Sequence, residues 1–112
     1  MSNQEPIGRD KDIKKLQLTF ELPAEAPRIF SIISDELQWP AELEPRVLKS
    51  QPNERVLVAL ADFTRLEVLI KTNLGRCEIT LAQDLIKTPE DISKYREIWT
   101  NWFQEISNRV AP

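Results

Sequence analysis

The sequence predicts an α+β fold in which an antiparallel sheet of about five strands packs against a long C-terminal helix, with a shorter helix after the first strand. Several segments alternate apolar and polar residues, as strands with one buried face do. Near the end of the chain, apolar residues recur instead at helical spacing and form one stripe. The sheet is the surface available to cover this stripe. Its members are Tyr95, Trp99, Trp102, Phe103, Ile106 and Val110.

Length and composition indicate one domain. With 112 residues, of which 41% are hydrophobic and 29% charged, the chain can bury one core and is too apolar for intrinsic disorder. Residues 1–12 are polar and show no apolar periodicity, so we expect a flexible N-terminal tail there. Residues 13–110 are expected to form the single domain.

The first half of the domain is predicted to contain one strand and one helix. Residues 16–22 alternate apolar and polar side chains, which is the period of a half-buried strand. A helix is predicted over residues 24–37, with Leu37 on its packed side and Pro27 in its first turn, where the missing N–H costs little. Residues 38–45 contain two prolines and are expected to form a loop.

Further strands are predicted in the second half, before the final helix. They cover residues 46–51, residues 55–61 and a segment around residues 66–71, followed by a glycine turn at residues 73–75. In the final helix Thr88 is expected to cap the first turn. The last strand is expected to turn Cys77, Ile79, Leu81 and Leu85 to one side.

Composition also excludes several classes of function. The chain has 15 basic and 18 acidic residues, a formal charge of -3, and therefore no broad positive field for nucleic acid. It has no histidine and one cysteine, Cys77, which is expected to be a buried core thiol; we predict no catalytic triad, no metal site and no cofactor. The beginning of the chain carries no apolar run, so we predict no signal peptide, no membrane anchor and a cytoplasmic location.

The aromatic residues of the final helix are the remaining candidate site. Trp99, Trp102 and Phe103 suit the lining of an apolar ligand cavity, because such cavities are mostly apolar and aromatic. The same residues suit a filled core, which needs no ligand. Both interpretations remain open from the residues alone.

Three segments, in their order along the chain, resemble the START-like superfamily, also called SRPBCC or Bet v 1-like. Residues 20–35 resemble a strand followed by a proline-alanine helix start, and residues 75–81 resemble the last strand after a glycine turn. Trp99 to Ile106 resembles the tryptophan-bearing closing helix. The match is nearest to the small members related to the Hsp90-ATPase activator family.

The resemblance implies a helix-grip fold, in which a curved antiparallel sheet wraps the closing helix and an apolar ligand often lies between them. Because only about five strands fit this chain, where the family usually has six or seven, the enclosed space is expected to be smaller. The first hypothesis is therefore non-catalytic binding of a small hydrophobic molecule. The residues expected to line the cavity are Phe30, Ile33, Val58, Val68, Ile70, Trp99, Trp102 and Phe103.

Two alternatives accompany this hypothesis. The first is a protein-interaction or chaperone-associated module with a filled core, whose surface lies on an exposed sheet face or around Trp39. The second is a cyclase-like or dehydratase-like enzyme that uses carboxylates, Tyr95 or ordered water, and the sequence favours it least. Unpaired sheet edges make either a monomer or a homodimer compatible with the sequence.

Overall fold

The computed structural model describes residues 14–111, and these residues form one sheet and two α-helices. The predicted tail at residues 1–12 therefore lies outside the described residues, as does Ile13. The strands are β1 (Lys14–Leu22), β2 (Arg46–Gln51), β3 (Arg55–Ala59), β4 (Arg65–Asn73) and β5 (Arg76–Ile86), and the helices are α1 (Ala26–Ile33) and α2 (Pro89–Val110). The five strands pair antiparallel in the order β1-β5-β4-β3-β2, which confirms the predicted α+β class.

Helix α2 covers one face of the sheet with the aromatic stripe predicted from its sequence. All six residues of the stripe are buried. Phe20 on β1 stacks against Phe103 with ring centroids 4.5 Å apart, so the strand and the helix meet through aromatic surface. Thr88 caps the helix as predicted, because its hydroxyl oxygen accepts a hydrogen bond from the Asp91 N–H at 3.0 Å.

The first helix is shorter than the sequence predicted. It ends at Ile33, because Ser34 donates its hydroxyl to the Phe30 carbonyl at 2.7 Å and the Asp35 carboxylate accepts from the Leu37 N–H at 3.0 Å. Such local side-chain bonds to the backbone compete with continuation of a helix. The prediction that Leu37 packs on the helix was therefore wrong; Leu37 lies in a 3₁₀ turn and is 90% exposed.

The predicted loop at residues 38–45 holds Trp39, which the structure places in the core. An interaction surface around Trp39 would need an exposed indole, but only 3% of this residue is exposed. Its indole N–H donates to the Ile33 carbonyl at 2.8 Å, which satisfies a free acceptor at the end of α1. Its ring lies 4.3 Å from Trp102 and 5.5 Å from Trp99, centroid to centroid. Trp39 thus joins the loop to α2.

An extra residue near the end of β5 reverses the direction of Leu85. Lys14 pairs with Ile86 and Leu16 pairs with Gln83, so between these pairs one residue of β1 opposes two residues of β5. A bulge of this kind interrupts the alternation of faces. Leu85 has φ of 68° and is half-exposed, whereas Ile86 is buried. The prediction that Leu85 faces the same side as Cys77 was therefore wrong.

The β4–β5 hairpin closes through a two-residue turn, as the sequence predicted. Leu74 and Gly75 have φ of 52° and 81°, the positive values that a type I′ turn requires at both positions. Glycine adopts this conformation without a steric penalty, but leucine does not. Because the Leu74 side chain is 95% exposed, its burial does not offset the steric cost of this backbone conformation.

We therefore expect Leu74→Asn to raise the free energy of unfolding by about 0.5–1 kcal/mol, because asparagine tolerates positive φ. Urea denaturation followed by circular dichroism measures the change. Leu74→Val is the matched control and should destabilise the protein, since a β-branched side chain fits this conformation worst. Equal effects of the two substitutions would contradict the assigned turn.

Candidate functional site

A chain of hydrogen bonds runs from the centre of the core to the β3–β4 turn. Trp99 is fully buried, and its indole N–H donates to Gln83 Oε1 at 2.8 Å. Gln83, with 0% exposure, donates from Nε2 to Thr64 Oγ1 at 3.0 Å. Because a buried N–H without an acceptor is costly, each of these residues depends on the next.

The same chain reaches the surface at Asp62. The Thr64 hydroxyl and the Thr64 N–H both donate to Asp62 Oδ1, at 2.7 and 3.0 Å. The Tyr95 hydroxyl donates to the other oxygen of the carboxylate. We call this set, Asp62, Thr64, Gln83, Tyr95 and Trp99, the Asp62–Trp99 chain. It ties the β3–β4 turn to strand β5 and helix α2.

The pKa values of the two titratable residues in the chain move apart. Burial by itself raises the pKa of Asp62, but the hydrogen bonds from Tyr95 and Thr64 outweigh it and leave the pKa below the ordinary 3.8. Burial, followed by the hydrogen bond to Asp62, raises the pKa of Tyr95 from 10.0 to about 12. Neither group titrates near pH 7, so the pair is poorly suited to proton transfer there.

Phe63 lies between the two anchored residues of the turn and points the opposite way. Asp62 and Thr64 are held inward by the Asp62–Trp99 chain, whereas Phe63 is 80% exposed and has φ of 71°. The Leu60 N–H donates to the Thr64 carbonyl at 3.0 Å and closes the turn. The hydrogen bonds on either side of Phe63 therefore hold an aromatic ring in solvent.

Phe63 belongs to an apolar surface on the face of the sheet opposite α2. Around it lies a depression of about 610 Å³, and Leu48 and Leu85 line it with half-exposed side chains. We call this region the Phe63 surface. It consists of Leu48, Phe63 and Leu85 around Ala59, flanked by Arg46 and Arg65.

The backbone of the Phe63 surface is unusual. Glu44, Phe63 and Leu85 have φ of 49°, 71° and 68°, and all three line the same depression. A non-glycine residue in this region of φ costs on the order of 1–3 kcal/mol, and such residues cluster at functional sites. Three of them around one apolar depression make this surface the candidate site.

Two arginines and one alanine form a row across the floor of the surface. Arg46 pairs in register with Ala59, and Ala59 pairs with Arg65 on its other side. The two arginines are thus two strand spacings apart, roughly 10 Å between their backbones. The ion pairs found among residues 14–111 involve other arginines, so both guanidinium groups are available to a partner.

The residues predicted to line a ligand cavity lie mostly in the core. Ile33, Val58, Val68 and Trp99 have no exposed surface, and none of them lines the surface depressions of about 610, 510 and 400 Å³. Trp102 is buried too, at the edge of the depression of about 510 Å³. The remaining predicted residues are Phe30, which is half-buried, and Ile70 and Phe103, which are buried.

A second depression, of about 510 Å³, lies beside the predicted Trp39 site. It is lined by the exposed Leu37 together with Pro40 and Ile98. Trp102 donates its indole N–H to the Gln38 carbonyl at 3.1 Å, which fixes this corner to α2. Polar side chains such as Gln38, Asn101 and Arg109 share this lining, so it is less apolar than the Phe63 surface.

The described residues offer little to a metal ion or a nucleophilic mechanism. Within residues 14–111, no group of three cysteine, aspartate or glutamate side chains could hold a metal ion. Cys77 is fully buried as predicted, and burial, with a smaller effect of Glu25, raises the pKa of its thiol. A high pKa disfavours the reactive thiolate. Neither helix of the described chain combines the length and apolarity needed to cross a bilayer.

The fold is that of the small domains of the Aha1 type. The chain is similar to the Aha1 dimer from Colwellia psychrerythraea, whose solution structure superposes with a TM-score of 0.70 at 9% identity and covers 85% of this chain and 94% of that one. This confirms, at the level of the fold, the resemblance predicted from the three sequence segments.

A second solved structure supports the same comparison. A solution NMR structure of a structural-genomics target from Thermobifida fusca has a TM-score of 0.57 at 10% identity, and the alignment covers 79% of this chain and 83% of that one. No protein-family model matches the sequence, and no curated protein matches it. At these identities the similarity is one of fold.

Sequence reasoning missed the Asp62–Trp99 chain and the Phe63 surface. One signal was available, because the alternation of β5 puts Gln83 on the same face as Leu81, where an uncharged polar side chain needs a buried partner. The outward direction of Phe63 was not readable in this way. It depends on the hydrogen bond that Thr64 accepts from Gln83, which lies 19 positions further along the chain.

We expect Gln83→Leu to lower the free energy of unfolding by about 1–3 kcal/mol, because it leaves the buried Trp99 N–H without an acceptor. Thermal or urea denaturation measures the loss. Gln104→Leu on the exposed side of α2 is the matched control and should change stability by less than about 0.5 kcal/mol. A similar loss in both variants would argue against the Asp62–Trp99 chain as a support of the fold.

Tyr95 is the only tyrosine, so its ionisation can be followed by the absorbance of phenolate. In the folded protein we expect a midpoint near 12, against 10.0 in denaturant. Because the pKa is raised on folding, its contribution to stability is complete below pH 10.0 and is lost as the pH rises through about 12. Asp62→Asn should lower the folded midpoint toward the denatured value. An unchanged midpoint, with circular dichroism showing a folded protein, would contradict the contact.

Proposed function

We propose that this chain is a non-catalytic protein-interaction module of the Aha1-like fold and that its partner binds at the Phe63 surface. The observation that carries the proposal is the presentation of Phe63. Its two neighbours are tied to the core, while its ring is 80% exposed on a disfavoured backbone conformation. An exposed aromatic side chain on a rigid support is typical of the residues that dominate binding at protein interfaces.

The energetic balance supports the same proposal. A bulky side chain at positive φ in solvent lowers the stability of the isolated chain and does not contribute to the packing of its core. Leu85 repeats this arrangement at the β5 bulge, beside Phe63. Such a surface is stabilising only when a partner covers it.

The comparisons and the resemblance suggest two kinds of partner. The Colwellia Aha1 was solved as a dimer, which makes a second copy one candidate. The sequence resemblance to the Hsp90-ATPase activator family makes a chaperone protein the other. Both belong to the interaction class, and the test below separates them.

Binding of a small apolar molecule between the sheet and α2 is less well supported by the geometry. The side chains that would line such a site pack against each other, as Trp39 does with Trp99 and Trp102. A ligand there would have to displace core side chains, which costs packing energy. Native mass spectrometry of the purified protein tests this alternative, and a bound lipid lost in a Trp102→Leu variant that remains folded would favour it.

Site-specific photocrosslinking tests the interaction proposal directly. Benzoylphenylalanine replaces Phe63 in one variant and Leu74, which is also exposed and lies at the hairpin tip, in a control. We expect a discrete protein adduct from position 63 and none from position 74, with an adduct of twice the chain mass if the partner is a second copy. Identical adducts at the two positions, or none at position 63, would overturn the proposal.

Replacement of Phe63 by glycine separates stability from binding. We expect Phe63→Gly to raise the free energy of unfolding by about 0.5–1 kcal/mol, since glycine tolerates the φ of this position. The same variant should bind the identified partner at least about tenfold more weakly, as loss of an aromatic anchor does. Leu48→Gly is the control, because Leu48 is not at positive φ and should lose stability. Wild-type affinity in Phe63→Gly would contradict the proposed site.

A further inference from the structure

The Phe63 surface also indicates the chemistry of what binds there. We infer that the bound segment is an acidic stretch of a protein, in which an apolar or aromatic anchor lies next to a carboxylate. This inference rests on the proposed function and adds the class of partner. It depends on the two arginines of the surface and on the alanine between them.

The row Arg46–Ala59–Arg65 has the form of a carboxylate site. Ala59 contributes only a methyl group, so the space between the two arginines is open above the sheet. Both guanidinium groups border the depression that contains Phe63. A carboxylate lying over Ala59 would reach a guanidinium on either side, and arginine binds carboxylates through paired, charge-assisted hydrogen bonds.

Among the side chains that line the depression, positive charges outnumber negative ones. Glu44 is the one carboxylate that lines the depression, against two arginines. Asp62 turns its carboxylate toward Tyr95 and Thr64, away from the row. Asp84 pairs in register with Arg65 on the side away from Ala59, and no ion pair forms between them.

This local balance contrasts with the chain as a whole, whose formal charge is -3. A positive patch on an acidic protein steers acidic partners to one place on its surface and repels them elsewhere. The apolar side chains of Phe63, Leu48 and Leu85 then supply the contact area that charge alone does not.

Charge also favours an acidic protein segment over a second copy of the chain and over a nucleic acid. In a two-fold dimer through this surface, the arginines of one copy would approach those of the other, which is repulsive. A nucleic acid carries a charge on every phosphate, so the phosphates beyond the two arginines would meet the acidic protein around them. An acidic protein segment has to place only one carboxylate over the row, so it meets little of either repulsion.

Selection from a phage library of short random peptides, with the wild-type protein as bait, tests the inference. Clones that also bind Phe63→Gly are removed. We expect the surviving peptides to combine a leucine or an aromatic residue with aspartate or glutamate. For a synthetic peptide of this group, Arg46→Gln and Arg65→Gln should each weaken binding by about tenfold, and added salt should weaken it further. Arg96→Gln, on the exposed side of α2, is the matched control and should leave the affinity unchanged.

The outcomes distinguish failure of the acidic partner from failure of the proposed interaction module. Peptides that need Phe63 but lack acidic residues, and that bind the arginine variants normally, would overturn the acidic partner and leave the interaction module standing. The absence of any peptide that needs Phe63 would overturn both. Two further measurements need no peptide. A dimer in light scattering that Phe63→Gly dissociates would make a second copy the occupant in place of the acidic segment. Binding of labelled oligouridylate that needs both arginines would make a nucleic acid the occupant.

Discussion

The buried indole of Trp99 is the constraint on which this structure depends. Its ring fills the centre of the core, so its N–H must find an acceptor inside the protein. Gln83 supplies the acceptor, and its own amide then needs Thr64. Each buried polar group in turn needs a hydrogen-bond partner, and the series ends at Asp62, which is near enough to solvent to hold a charge. The burial of Trp99 in the core thus fixes the conformation of the β3–β4 turn at the surface.

This transfer explains how a small domain can keep an aromatic side chain in an unfavourable place. A turn held only by its own backbone bonds would relax and lower the exposure of Phe63. Here Asp62 and Thr64 are bonded to β5 and α2, so relaxation of the turn would leave buried polar groups unpaired. The core therefore over-determines the turn, which is the condition for stored strain to persist in a native state.

Much of the fold was readable from the sequence because its signals are local. The alternation of β1, the turn before Gly75 and the stripe of α2 each depend on residues close together in the chain, and all three are present. The end of α1 was misjudged because Ser34 and Asp35 bond to the backbone and stop the helix, which apolar spacing does not record. Trp39 was misjudged because a proline-rich loop was assumed to be exposed.

The candidate site was largely hidden from sequence reasoning for a related reason. It is assembled from β2, the β3–β4 turn and the bulge of β5, which meet only after the sheet has formed. The bulge that turns Leu85 outward depends on a register shift against β1, and a one-residue shift reverses every side chain beyond it. The aromatic residues of α2 were correctly predicted to form one stripe. In the structure, two of them, Tyr95 and Trp99, hold the β3–β4 turn through the Asp62–Trp99 chain.

The order of the elements has a consequence for synthesis. All five strands leave the ribosome before α2, and the face that α2 covers is lined by residues such as Val58, Val68 and Leu81. A product released before α2 has been made would therefore expose the apolar face of the sheet as well as its edges, and such a species is prone to aggregate. Because α2 supplies the cover of that face, we expect a chain truncated before residue 89 to aggregate rather than fold.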